Sequence, residues 1–141
     1  MRLALHTDYA LRTLIYLAGK PGRGSAGVVA EFFDISRDHV AKVIQSLVRL
    51  GYLRSVRGAG GGIELRKKPE EIRVGQVILD FEGNMNLLEC VSTDGVCVIE
   101  RGCTLKKVLA KAERIQMEYL MSVKLSDLVK AGGQLLEITR A

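Results

Sequence analysis

Apolar residues recur at three- and four-residue intervals over five stretches of this chain, alternate over two short ones, and lose their pattern over one. The first helical stretch follows Thr7-Asp8, either of which can cap a helix. Tyr9, Leu11, Leu14, Ile15 and Leu17 cover much of its circumference, which predicts a largely buried helix. Asp8 reads locally as the cap or as a first-turn acid that complements the helix dipole. A turn over residues 20–24 leads to Ser25 and a short second helix over residues 26–33, weakened at Gly27 by about 1 kcal/mol relative to alanine. Ser36 then caps a third helix over residues 37–50. Val40, Val43, Ile44, Leu47 and Leu50 form its inner stripe, and Arg37, Asp38, His39, Lys42, Gln45 and Arg49 lie outside it.

Leu53 to Arg57 and Ile63 to Arg66 alternate as strands do, and residues 58–62 (Gly58, Ala59, Gly60, Gly61, Gly62) form a tip between them. A fourth helix is expected from Pro69-Glu70-Glu71-Ile72, with Val74, Val77, Ile78 and Phe81 inward, ending near Gly83-Asn84. Residues 84–103 carry no periodicity. From residue 104 to 123 runs the longest periodic segment: Leu105, Val108, Ala112, Ile115 and Tyr119 step by three and four as the a and d positions of a heptad. That seam suits dimerisation, and it equally suits packing onto the chain's own head. One more helical turn is expected at residues 126–129, followed by a fraying tail from Gly132-Gly133.

Two short helices, the second with a polar and basic outer face, followed at once by a glycine-tipped hairpin, make a winged helix-turn-helix. The expected fold is therefore mainly α with a small β wing and a long C-terminal dimerisation helix. The chain divides into a DNA-binding head with its supporting helix (1–83), a loop (84–103), and a dimerisation helix with a C-terminal segment (104–141). Ser36, Arg37, Asp38 and His39 would reach base edges, and Lys42, Gln45 and Arg49 edges or phosphates. A plain solvated helix face has the same pattern, and the hairpin is what tips the reading towards DNA. Arg54 and Arg57 flank the tip, and Gly58, Gly60, Gly61 and Gly62 let the backbone approach the sugar-phosphate chain. A nucleotide-binding glycine loop is excluded, because the GxGxxG spacing is incomplete and no helix follows.

Charge supports the division. Residues 1–70 hold 12 Lys/Arg against 6 Asp/Glu, whereas residues 71–141 hold 9 against 10. A basic front half beside a near-neutral back half is a nucleic-acid footprint. No segment approaches the roughly 20 apolar residues of a membrane span, so a soluble cytoplasmic protein is expected. No Ser-His-Asp set or phosphate loop is present, so an enzyme is not expected.

The patternless stretch holds all three cysteines, Cys90, Cys97 and Cys103, spaced C-x6-C-x5-C. Clustered cysteines in such a protein more often bind metal or do redox chemistry than form structural disulfides. Zinc sites pair their cysteines more tightly and close with four ligands. The looser spacing suits a loop wrapped around an iron–sulfur cluster, with one position open or filled by another residue. Three incidental thiols on a surface loop remain the alternative. Thr104 is expected to cap the helix that follows, which places Cys103 just ahead of a helix N-terminus, where a thiolate is favoured.

Taken together, these residues resemble the Rrf-two family of winged-helix bacterial repressors over nearly the whole chain. The carriers are Met1-Arg2-Leu3 with Thr7-Asp8-Tyr9-Ala10-Leu11-Arg12, Ile35-Ser36-Arg37-Asp38-His39 with Lys42-Val43-Ile44, and Gly51-Tyr52-Leu53. To these add Val56-Arg57-Gly58 with Gly61-Gly62, Ile72-Arg73-Val74-Gly75-Gln76-Val77, and the three cysteines ahead of Leu105-Lys106. Within the family the chain looks most like the nitric-oxide-sensing members, because position 106 is lysine where other members carry a histidine ligand three residues after the last cysteine. The resemblance implies a homodimer on a palindromic double-stranded DNA operator. It further implies a 4Fe–4S or 2Fe–2S cluster on Cys90, Cys97 and Cys103, with Asp8 of the other subunit as fourth ligand, and release of the operator when nitric oxide nitrosylates the cluster. An iron-availability or redox sensor of the same family is the nearest rival. A cluster-free DNA-binding module regulated by a partner protein is the rival from another class.

Overall fold

In the computed structural model the described residues are 2–129. Helix α1 (Leu5–Gly19) begins earlier than Thr7-Asp8 suggests, and no side chain of its own caps it. The cap comes from α4 (Val74–Glu82): Glu82 Oε1 accepts from the Ala4 N–H at 2.7 Å and from the hydroxyl of fully buried Thr7 at 2.5 Å. Two polar groups at the start of α1 are thereby satisfied by a residue some seventy-five positions away.

Helix α2 (Ala26–Phe33) is capped by Ser25, whose Oγ accepts from the Val28 N–H, and α3 (Arg37–Arg49) by Ser36, whose Oγ accepts from His39 N–H. Both helices end the same way. After α3, Gly51 sits at φ +84°, with the Tyr52 N–H donating to Leu47 O and the Gly51 N–H to Val48 O. After α2, Asp34 takes the left-handed position at φ +53°, with Ile35 donating to Ala30 O and Asp34 to Glu31 O. Each is a Schellman motif that satisfies the last carbonyls and turns the chain sharply.

Strands β1 (Leu53–Val56) and β2 (Gly62–Leu65) pair antiparallel, with Leu53 opposite Leu65 and Val56 opposite Gly62. A third, one-residue strand comes from the α1–α2 connection, where Gly24 and Ile63 exchange both backbone hydrogen bonds at 2.9 Å. The core lies between α1, α3, β1 and α4. Leu14, Val40, Val43, Leu47, Leu53 and Val77 are essentially without exposure, and each contributes about 1.5–3 kcal/mol by leaving water.

The fourth helix does not start at Pro69. Residues Pro69–Glu71 form one 3-10 turn, the chain extends through Ile72 and Arg73, and α4 follows. The interruption has a tertiary cause. Val74 N–H donates to Val123 O at 2.9 Å, Leu125 N–H donates to Ile72 O at 2.8 Å, and Arg73 bridges Lys124. A helix through 72–73 would turn these backbone groups inward and forfeit that pairing.

A four-residue helix, α5 (Glu89–Ser92), and a 3-10 turn at Glu100–Gly102 interrupt the cysteine loop. Helix α6 (Thr104–Ser122) is followed by α7 (Leu125–Val129), whose Leu125 and Ser126 are buried. Helix α6 crosses α4 where Gly75 leaves room: a Cβ there would lie 2.7 Å from the Met121 backbone nitrogen. No residue of α6 is fully buried.

Candidate DNA interface and cysteine loop

The face of α3 that the sequence marks out is presented to solvent. Ser36, Arg37, Asp38, His39, Lys42, Gln45 and Arg49 are all exposed, while Val40, Val43, Ile44 and Leu47 anchor the helix from behind. The His39 ring lies 6.2 Å from the Tyr9 ring. A cleft of about 250 Å³ opens beside it, lined by Leu5, His6, Tyr9, His39, Lys42 and Val43, and so by both histidines of the chain.

In the wing, Arg57, Gly58 and Gly60 are exposed, and Gly61 and Gly62 are half-buried. The glycine requirement is steric at Gly61, where a Cβ would lie 2.4 Å from Val56 O and 2.7 Å from Gly58 O. Arg54 is tied down: Glu64, its cross-strand neighbour, accepts from it at 2.6 Å. Glu64 also accepts from Arg23 Nε at 3.3 Å, and Arg23 Nη1 reaches Gly60 O at 2.8 Å. Arg54 first, with Arg23, holds the Glu64 carboxyl below its usual range. Sequence reasoning missed Arg23, because its partnership depends on the Gly24–Ile63 rung, a non-local contact. A further side-chain bond fixes the base of the hairpin: Tyr52 donates to Asp80 Oδ2 at 2.5 Å, and burial together with that carboxylate pushes the phenol pKa upward.

Cys90 and Cys103 are half-buried, Cys97 is exposed, and no disulfide joins them. Cys103, not Thr104, is the N-cap of α6. Its Sγ accepts from Lys106 N–H at 3.4 Å, within the range of a hydrogen bond to sulfur. The sulfur thus sits at the positive end of the longest helix. It opens on a hollow shared with Asp94, Glu100, Arg101 and Lys107. The chemistry of the donor set fits a thiolate-held cluster, with three free thiols in one loop and one of them already at a helix N-terminus. Among the described residues no three His, Cys, Asp or Glu side chains gather closely enough to hold a single metal ion, so the set does not fit a one-ion site.

Lys106 is the unexpected member of this region. Its Nζ donates to Asp94 at 2.9 Å and also to Glu100, and Glu100 Oε2 accepts from the Gly95 N–H at 2.5 Å. Glu100 first, then Asp94, holds the Lys106 ammonium well above the ordinary lysine range. Lys106 in turn lowers the Asp94 carboxyl. The signal was present as two acids six residues apart followed by a lysine six residues on, but nothing local links those spacings.

Asp8 occupies the first turn of α1 and accepts from Arg12 Nε at 2.9 Å, which raises the Arg12 pKa. Both side chains are partly exposed, at 39% and 41%. The hollow beside Asp8 is lined by Arg2, Leu3, Ala4 and Leu5 of the same chain, not by the cysteine loop. On α6, Leu105, Val108, Ala112, Ile115 and Tyr119 are all exposed, Tyr119 at 69%.

A helix-turn-helix with a β-hairpin wing, mounted on a long helix, defines a winged-helix transcription regulator. A family model, Rrf2, described as an iron-dependent transcriptional regulator, matches residues 3–131. The chain belongs to the Rrf2 family. It is 39% identical over 143 residues to the HTH-type transcriptional regulator NsrR of Bacillus subtilis, covering 99% of this chain and 98% of that protein. It is 34% identical to NsrR of Geobacillus kaustophilus over 99% of this chain and 97% of the relative. Among solved structures it resembles T. potens IscR, with 26% identity, a TM-score of 0.75, and coverage of 93% of this chain and 88% of that one. Staphylococcus aureus CymR in its oxidized form matches at 29% identity and TM-score 0.72, over 92% and 96% of the two chains. The winged-helix fold is thus shared with these regulators, and the chain is a transcriptional regulator rather than an enzyme. Among the described residues no helix is long and apolar enough to cross a membrane.

Proposed function

We propose that this chain is a cytoplasmic, homodimeric repressor that binds a palindromic operator and releases it in response to nitric oxide, sensed at an iron–sulfur cluster. The observation that carries the reading is the placement of all three cysteines in one loop that ends on the N-cap of α6, directly behind a winged-helix head. The likeness to proteins named NsrR supports it. Residues 1–83 act as the head, 84–103 as the sensing loop and 104–141 as the dimerisation segment. Cys90, Cys97 and Cys103 hold the cluster, and Asp8 of a second copy supplies the fourth ligand. When bound, the cluster supplies iron that reacts with nitric oxide.

The rest follows from the chain's own residues. The exposed seam of α6 (Leu105, Val108, Ala112, Ile115, Tyr119) meets its equivalent in the second copy and sets the distance between the two α3 helices. Ser36, Arg37, Asp38 and His39 enter the major groove, Lys42, Gln45 and Arg49 reach edges or phosphates, and Arg57 with the wing glycines follows the minor groove. Arg54 contributes charge to the wing while held by Glu64. Once the thiolates are released, the loop from Asn84 to Cys103 relaxes, Asp8 parts from the opposite copy, and the spacing of the α3 helices is lost. A hundredfold loss of operator affinity requires about 2.7 kcal/mol of coupling.

The deciding experiment is the visible absorption spectrum of anaerobically purified protein, with iron and sulfide content, before and after nitric oxide, beside operator binding by the Cys97→Ala variant. Charge-transfer bands that change with nitric oxide, together with loss of the response in the variant, are expected. Operator binding by Cys97→Ala that still responds to nitric oxide would sink the mechanism. A second reading has its own support in the family's description as iron-dependent: bands unmoved by nitric oxide, with operator release under iron limitation, would establish an iron sensor instead.

A further inference from the structure

The cysteine loop is tied to α6 by one lysine. Lys106, in the first turn of α6, bonds Glu100 and Asp94 through its ammonium, and its backbone N–H bonds the Cys103 sulfur. Glu100 is the hub on the loop side. One carboxylate oxygen takes the Lys106 ammonium, and the other takes the Gly95 N–H at 2.5 Å. Gly95 turns at φ +80°, a conformation in which a residue with a Cβ is strained. Residues 95 and 100 are thus closed onto each other and onto the helix, with Cys97 exposed on the arc between them.

We propose that Lys106 and Glu100 form a clamp that preorganises Cys97 and Cys103 for the cluster before it arrives, with Lys106 acting as a positioning residue and not as a ligand. The proposal rests on the reading of the three cysteines as cluster thiolates. Two of the three thiols then stand on one fixed frame, Cys103 at the helix N-cap and Cys97 on the closed arc. Only Cys90, carried on the separate short helix α5, then has to be brought to that frame on assembly. Preorganisation of this kind raises affinity by removing the ordering cost from the binding step.

The two acids are not equivalent. Lys106 and Glu100 are 21% and 17% exposed, whereas Asp94 is 95% exposed. A pair shielded from water keeps its interaction in salt, while an exposed partner is screened. Lys106–Glu100 is therefore the working bond and Asp94 an accessory. The lysine also offsets one of the two carboxylate charges that would otherwise repel thiolates gathered beside them.

The test uses the full chain in two states. In the cluster-free protein, hydrogen exchange is followed at the Gly95, Glu100, Gly102 and Cys103 amides, all of which donate within the loop. Lys106→Met and Glu100→Gln are expected to speed this exchange about tenfold, Asp94→Asn less than twofold, and Lys106→Arg to retain protection. In reconstitution with ferrous iron and sulfide under anaerobic conditions, Lys106→Met is expected to take up iron about tenfold more slowly and to lose it faster to a chelator, with Lys106→Arg restoring both. Fast exchange at these amides in the native protein, or unchanged exchange in Lys106→Met and Glu100→Gln, would overturn the clamp. So would altered exchange with native iron uptake and retention, which leaves a local structural role only. If the native chain takes up no cluster at all, the sensing proposal fails and preorganisation fails with it. The exchange arm then still decides whether the clamp itself exists, so the two failures are told apart.

Discussion

Glu64 is the residue on which the wing's shape converges, because it is the common acceptor for Arg54 across the hairpin and Arg23 from the α1–α2 connection. Its carboxyl titrates below the ordinary glutamate value of 4.5, so its contribution is complete above that value and is lost as pH falls through the lower folded value. Exchange at the Gly61 amide, which donates to Gly58 O within the tip, is expected to rise only on acidification below the ordinary value, and Glu64→Gln is expected to show the raised rate at all pH values. A flat acid profile for the native wing would remove this role. The sequence identifies Arg54 and the glycines as wing residues from the alternating strands and the tip. It does not identify Arg23, whose partner is forty-one positions away. The same limit applies at α1. Thr7-Asp8 is a sound local cap signal, yet the start of the helix is settled by Glu82 arriving from α4.

At the scale of elements, the helices with a strong apolar stripe and a serine cap, α2 and α3, begin where the pattern puts them. The hairpin is equally legible, because strand alternation and glycine tips are local signals. The break before α4 is not legible. Pro69 with Glu70 and Glu71 is a good helix opening, but the backbone at residues 72–74 is claimed by residues 123–125, and that competition is invisible to periodicity. The α4–α6 crossing gives a test of this packing. In Gly75→Ala the new methyl meets the Met121 backbone and side chain at 2.7–2.8 Å, and backbone cannot step aside as a flexible side chain can. A loss of about 1–3 kcal/mol is expected from overpacking of this kind, read as a lower urea midpoint with unchanged slope. A neutral result would mean that the crossing is looser than drawn.

For the whole molecule, the seam on α6 is the largest expectation that the single chain leaves open to solvent. Val108, Ile115 and Tyr119 are at least half exposed, and no residue of α6 is fully buried. Ile115→Glu is therefore expected to leave the helical circular dichroism unchanged while the protein sediments as a monomer and operator affinity falls at least tenfold, since each half-site is then bound alone. A variant that remains dimeric would move the interface elsewhere. The cysteine loop stands out in the sequence as a candidate site because its thiols share one patternless stretch. Its attachment through Lys106 does not, because the lysine's acids stand six and twelve residues away.

The far end of α6 has its own consequence. Beyond the helix the chain doubles back: Val123 and Leu125 pair with residues 72–74, and Leu125 is buried beneath the head. The long helix is therefore a lever with a fixed fulcrum at one end and the cysteine loop at the other. If the proposed cluster is lost at the cysteine end, the other end is still held to the head through residues 72–74, so the emptied protein would keep its frame and could be reloaded without passing through the unfolded chain.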